Sequence, residues 1–284
     1  MFKKFSPILI FQRGLLRCRL FIIRLLVFMN KRKRFILTSI ILSFGFIIVQ
    51  FLSEQYRYVS IGGLGFLTLV LFAWSIREGI GFNATLFSLV LPFFFTVGVG
   101  LFWFLLPSSI FAKIPIVILY GFGIYALCLT ANIYTVATIR TIALLRAAKG
   151  VGFVLSLLTF FLIFDTVLSI HWSAHISSLV VFTASFPLFL QSYWSVNLEK
   201  FMSSEVLKLS LISSLVVGEI AIALFFWPVT VVVGSLFLTV TAYMLVGLGQ
   251  SELEGRLFKQ TTREYLLLGL LVFIGMFFAT RWGG

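Results

Sequence analysis

Apolar residues run through this chain in long blocks separated by short polar segments, with no alternation of apolar and polar positions inside a block. The blocks cover approximately 35–52, 59–76, 84–106, 115–134, 151–171, 176–196, 207–227, 229–250 and 265–280. A helix rising about 1.5 Å per residue needs about 20 such residues to cross a hydrocarbon core of roughly 30 Å. Barrel strands would show a period of two, which is missing here. The pattern predicts an all-α, polytopic transmembrane helical bundle of about nine spans.

The boundary between the seventh and eighth spans has no polar loop. The stretch 207–250 would make a single helix of about 66 Å, twice the core thickness, and basic residues flank it on both sides, which requires an even number of crossings. A tight hairpin at Trp227-Pro228 is expected, with Pro228 at the first helical position, where its missing N–H costs nothing.

Composition agrees with this reading. The 284 residues are 61% apolar and 11% charged, with a mean hydropathy of +1.13, which excludes disordered, collagen-like and coiled-coil classes. The two cysteines, Cys18 and Cys128, cannot build a disulfide framework or a thiolate metal site. With the N-terminus in the cytoplasm, the 22 Lys and Arg divide 19 inside to 3 outside. The positive-inside rule therefore places the N-terminus in the cytoplasm, the C-terminus outside, and the protein in the cell (cytoplasmic) membrane.

Residues 1–34 hold ten of those basic residues and no acid. They are expected to form an N-terminal arm at the cytoplasmic surface, preceding a transmembrane domain over 35–284. Arginines interrupt the apolar core that a cleaved signal peptide needs, so the arm is expected to be retained. Within 7–29, Arg13, Arg17 and Arg24 fall within about 40° of one another on a helical wheel, opposite most of the Ile, Leu and Phe. This predicts an in-plane amphipathic helix. Lys31, Arg32, Lys33 and Arg34 follow directly, and together these seven residues form an expected surface for anionic lipid headgroups, at about 1 kcal/mol per basic residue. A basic arm attracts any polyanion, but no stacking aromatics or recognisable module support nucleic acid as a partner.

Two ionisable residues lie well within spans, Asp165 in the fifth and Glu219 in the seventh. A lone charge there costs at least ~2.5 kcal/mol, so each carboxyl must be protonated, paired or facing water. Asp165 lies about 6 Å to the outer side of its span's midpoint, and Glu219 lies near the middle of its own. Ser210, Ser214, Gly218 and Ala221 share one face of span seven, within about 80°, and predict close helix packing. Glu219 points nearly opposite, so span seven is expected to be buried on two sides, with Glu219 toward a neighbour or a cavity. Phe160, Phe161, Phe164 and Trp172 near Asp165, and Phe225, Phe226 and Trp227 near Glu219, would suit a lipophilic cation.

His171 and His175 flank an outer turn, but no third ligand converges on them, so no metal is expected. Phosphate-binding loops, zinc-protease motifs and nucleophile elbows are missing, so neither a cofactor nor an enzyme activity is expected. The leading expectation is a proton- or cation-linked small-solute transporter with Glu219 and Asp165 as its proton, cation or substrate sites. The alternative is a non-catalytic membrane scaffold or assembly subunit with a protein partner or a second copy. A third is an intramembrane lipid-processing enzyme. Sparse intramembrane polarity favours the scaffold, and the two acids favour transport.

Overall fold

The computed structural model describes residues 30–50, 52, 54–76, 82–105, 110–137, 143–198 and 202–280. The amphipathic segment with Arg13, Arg17 and Arg24 lies outside the described residues. Regular structure among the described residues is entirely helical: α1 (Lys31–Gln50), a 3-10 turn (Glu54–Tyr56), α2 (Arg57–Ile76), α3 (Phe82–Trp103), α4 (Ile110–Ala137), α5 (Leu145–Ser169), α6 (Ala174–Asn197), α7 (Ser204–Phe225), α8 (Val231–Leu253) and α9 (Lys259–Ala279). The last eight are long and apolar enough to cross a membrane. The chain thus has the architecture of a multi-pass helical membrane protein.

Consecutive helices run antiparallel and gather at two ends of the bundle. Lys149 on α5 and Val196 on α6 meet at the end where α1 begins, through a 2.7 Å bond from Lys149 Nζ to the Val196 carbonyl. At the other end lie Trp172, the turn before α8, and Thr280, which accepts a 2.8 Å bond from Trp227 Nε1. These are called the Lys31 end and the Trp172 end below. α5 packs against α3, α4, α6 and α8, and α3 also touches α2, α4 and α6. α1 sits at one edge against α2 and α4, and α9 at the opposite edge against α8.

Aromatic rings fill the core. Phe46 stacks on Tyr120 and meets Trp103 edge-on, while Phe160 lies 4.9 Å from Phe189 across the α5–α6 contact. Hydrocarbon outside the bundle gives little drive for apolar burial, so specific polar cross-links matter more than in water. Thr68, Thr96 and Tyr120 form one such chain through α2, α3 and α4, with both contacts at 3.1 Å.

One local expectation needs correction. Pro228 is not the first helical residue: the turn extends to Thr230, which stands extended ahead of Val231. The Val229 N–H bonds back to the Trp227 carbonyl at 2.8 Å, which holds Pro228 within the turn. Glu252 and Arg256, although four positions apart, do not share a helix, because α8 stops at Leu253. Gly255 adopts a φ of 65°, open to glycine at low cost. The Gly255 N–H bonds to the Glu252 carbonyl and the Arg256 N–H to that of Ser251, a double closure that ends the helix. Arg256 instead lies 3.8 Å from Glu254.

Candidate functional site: a buried acid beneath a cavity

α5 carries Asp165 four residues before its last residue, Ser169, and turns it toward α8. The side chain is 5% exposed. Ser235, in the first turns of α8, places its Oγ 3.1 Å from Asp165 Oδ1 and 3.0 Å from the Val232 carbonyl. A hydroxyl has one proton to give. The pair therefore holds either a carboxylate that accepts from Ser235, or a carboxylic acid that donates to a Ser235 whose own proton goes to Val232. A proton can thus reside on the acid or leave it without breaking the contact between α5 and α8. Among the described residues, no ion pair to Asp165 is formed.

A cavity of about 280 Å³ opens at the Trp172 end between α5, α6, α7 and α8. Leu168 and Gly234 form part of its wall, and His171, Trp172, Ser177 and Trp227 contribute others. Leu168 is three residues beyond Asp165 and Gly234 adjoins Ser235, so the pair lies within about one helical turn of the cavity. Its walls are mostly aromatic or aliphatic, with the hydroxyls of Ser177 and Thr230 and the exposed His171 ring among them. His171 has a φ of 55° where α5 has ended, and its Nδ1 lies 2.7 Å from the Ser169 carbonyl. The helix does not pass through the His171 and His175 segment, and no three potential metal-ligating side chains come together among the described residues.

The sequence placed several aromatics beside Asp165, and the structure distributes them differently. Phe160 lies 5.6 Å from Phe164 and 4.9 Å from Phe189, both ring pairs tilted, so these rings form a ladder along α5 and α6. Phe161 turns to Phe102 of α3. Trp172 alone of that group reaches the cavity.

Glu219 is not part of this site. Ser210, Ser214, Gly218 and Ala221 are all buried, as the stripe predicts, and Ser178 Oγ bonds to the Gly218 carbonyl at 2.8 Å. A Cβ on Gly218 would stand 3.3 Å from Phe182 Cβ, so the two backbones approach closely there. Glu219 lies on the other side and is exposed. α7 sits on the perimeter against α6 and α8, so the expectation of burial on two sides, with Glu219 facing a neighbour or a cavity, is corrected. The structure also divides the basic run at the start of α1. Arg32 and Lys33 are exposed and Lys31 is partly so, whereas Arg34 is turned inward at 1% exposure, which removes it from the expected lipid surface. At about 100° per residue, four consecutive residues cannot all face outward.

Sequence reasoning missed a second polar group, near the Lys31 end. Gln191, Ser192 and Ser195 of α6 are buried, and Gln250 of α8 donates to the Ser192 carbonyl at 3.2 Å. Gln191 Oε1 and the hydroxyls of Ser185 and Ser192 have no hydrogen-bond partner among the described residues. The signal was a run of neutral polar residues inside an apolar span, which carries no charge to draw notice. Between this group and Asp165 stand Phe160, Phe164, Phe189, Leu238 and Ala242, all without measurable exposure.

No curated protein and no solved structure matches the chain. A model of the family described as "protein of unknown function (DUF5656)" matches residues 39–279. That match covers well over half of the chain, and the protein belongs to the DUF5656 family.

Proposed function

We propose that the protein is a proton- or cation-linked small-solute transporter with Asp165 as its ion site. One observation carries this reading: a buried carboxyl with a switchable hydroxyl partner lies within a turn of an aromatic cavity that opens at one end of the bundle. An intramembrane acid in such a position marks an ion or proton pathway by default. The neutral polar groups of α6 near the Lys31 end would serve the opposite approach, with the Phe160, Phe164 and Phe189 layer closing the path between them. The proposal includes nine spans, the Trp172 end outside the cell membrane, and no chemical conversion of the solute. Glu219 has no part in it.

The test is proton release from purified protein on addition of tetraphenylphosphonium, a lipophilic cation matched to an aromatic cavity. Wild type should release protons as the cation binds, and Asp165→Asn should not. Equal release from both would remove Asp165 from the function.

Glu219 favours a second reading. An acid on an open helix face in hydrocarbon is costly, so a partner covering that face would relieve it. α9 likewise packs mainly against α8 and, among the described residues of its helix, buries Met276 alone. These two faces suit an assembly subunit, and the discriminating measurement is native mass spectrometry of protein taken gently from its membrane. A stoichiometric protein partner supports that reading, whereas a lone chain with a bound small ligand supports transport.

A further inference from the structure

α1 and α4 leave an open groove of about 660 Å³ between them, on a side of the bundle far from Asp165. Its walls are Ile36, Ile40, Phe44 and Ile47 of α1 with Ile118 and Phe122 of α4, and its floor is formed where the two helices touch. There Ser39 Oγ bonds to the Gly121 carbonyl at 2.6 Å, and a Cβ on Gly121 would stand 2.7 Å from Ser43 Oγ. The two helices therefore approach closely at this contact, and the groove lies above it. From Ile36 to Ile47 the groove runs about 16 Å along the helix. That is about half of a roughly 30 Å hydrocarbon core, the depth of one leaflet.

The same helical stripe continues beyond the groove. Arg32 and Lys33 stand four and three residues before Ile36, on its face, and both are exposed. We propose that this groove holds one acyl chain of an anionic glycerophospholipid, whose phosphate rests on Arg32 and Lys33. Charge decides the occupant. A second copy docked about a two-fold axis along the membrane normal would bring Arg32 and Lys33 against the same pair. The chain's own residues 1–29 carry six Lys or Arg and no acid, so they add positive charge to a positive rim. An anionic lipid has the opposite sign and an apolar part of the right length. The inference is independent of the Asp165 reading, and either can fail without the other.

The test is native mass spectrometry of the full chain, delipidated in mild detergent and offered equal amounts of phosphatidylglycerol and phosphatidylcholine. Wild type should retain a single phosphatidylglycerol in preference. In the Arg32→Gln/Lys33→Gln double variant the preference should fall roughly fivefold for each charge removed. Ile40→Trp, which fills the groove from an exposed position, should reduce retention of both lipids. Thermal unfolding followed by circular dichroism checks that both variants fold. Equal retention of the two lipids by wild type would overturn the proposal, as would an unchanged preference in the double variant. A preference lost instead in a full-length Arg13→Gln/Arg17→Gln/Arg24→Gln variant would assign the headgroup to the N-terminal arm, and a lipid-free dimer would assign the groove to a second copy; both outcomes overturn it.

Discussion

Tyr193 of α6 lies flat against the backbone of α8 at Gly249: a Cβ there would stand 2.5 Å from the ring carbon Cε1. The Tyr193 hydroxyl meets Ser213 Oγ at 2.7 Å and donates to the Leu245 carbonyl at 2.9 Å, so one side chain ties together α6, α7 and α8. Gly249→Ala should therefore overpack this junction and cost about 1–3 kcal/mol. Tyr193→Phe keeps the ring and removes its hydrogen bonds, at about 0.6 kcal/mol each on average for bonds between membrane helices. Reversible unfolding in mixed micelles reads both, with Gly62→Ala as the control, because a Cβ at Gly62 meets nothing within 4 Å. An unfolding midpoint for Gly249→Ala equal to the control would show that the ring has room to move.

The Asp165 and Ser235 contact should appear as a coupling energy. In a double-mutant cycle of Asp165→Asn and Ser235→Ala, the interaction is expected at about 0.6–1.7 kcal/mol, the range found for polar pairs inside membrane bundles. Strict additivity would mean that the two side chains act separately, and the proton-sharing arrangement would then lose its basis.

Glu219 and Asp165 should differ in reactivity toward a hydrophobic carbodiimide delivered through the bilayer. Glu219 is exposed on the perimeter of α7, and Asp165 is 5% exposed behind α8. Peptide mass spectrometry over a time course should find Glu219 modified first. Earlier modification of Asp165 would place Glu219 behind a covering partner, which is the outcome the assembly reading requires.

How much of this could be read from the residues depended on whether a feature is local or tertiary. The helices at α2 to α9 follow from the length of apolar runs, because a helix satisfies its own backbone in hydrocarbon and the alternative, a closed barrel, would show a period of two. The packing stripe Ser210, Ser214, Gly218 and Ala221 was equally legible, since small residues at helical spacing have few other uses in a span. What lies behind Glu219 was not, because a face opposite one neighbour is occupied only if the bundle supplies a second. Asp165 was found by its charge, but Ser235, seventy positions later, could not be assigned to it among the many serines of the chain. The same holds for Thr68, Thr96 and Tyr120: each is ordinary in its own helix, and the chain they form exists only once three helices meet. Arg34 shows the converse limit, where a uniform basic run conceals one member that the helix turns inward.

Trp227 supplies the last expectation, because it anchors the helix with the least packing. α9 buries only Met276, yet Trp227 reaches it by donating to Thr280 Oγ1 and by edge contacts to Phe273 and Phe277 at 6.0 and 6.5 Å. Trp227→Phe should keep much of the ring contact and lose the hydrogen bond, at about 0.6–1.7 kcal/mol. Trp227→Ala should lose both, at a larger cost that stays below the about 3–5 kcal/mol of a fully buried core ring, because Trp227 is half-buried. Because α9 packs mainly against α8 and lies at the edge of the bundle, the effect should be confined to it. Hydrogen exchange should accelerate in the Trp172-end half of α9, in the order wild type, Trp227→Phe, Trp227→Ala, while α3 and α5 keep their protection. Uniform acceleration across all helices would show that α9 unfolds with the bundle, and that its attachment does not rest on Trp227.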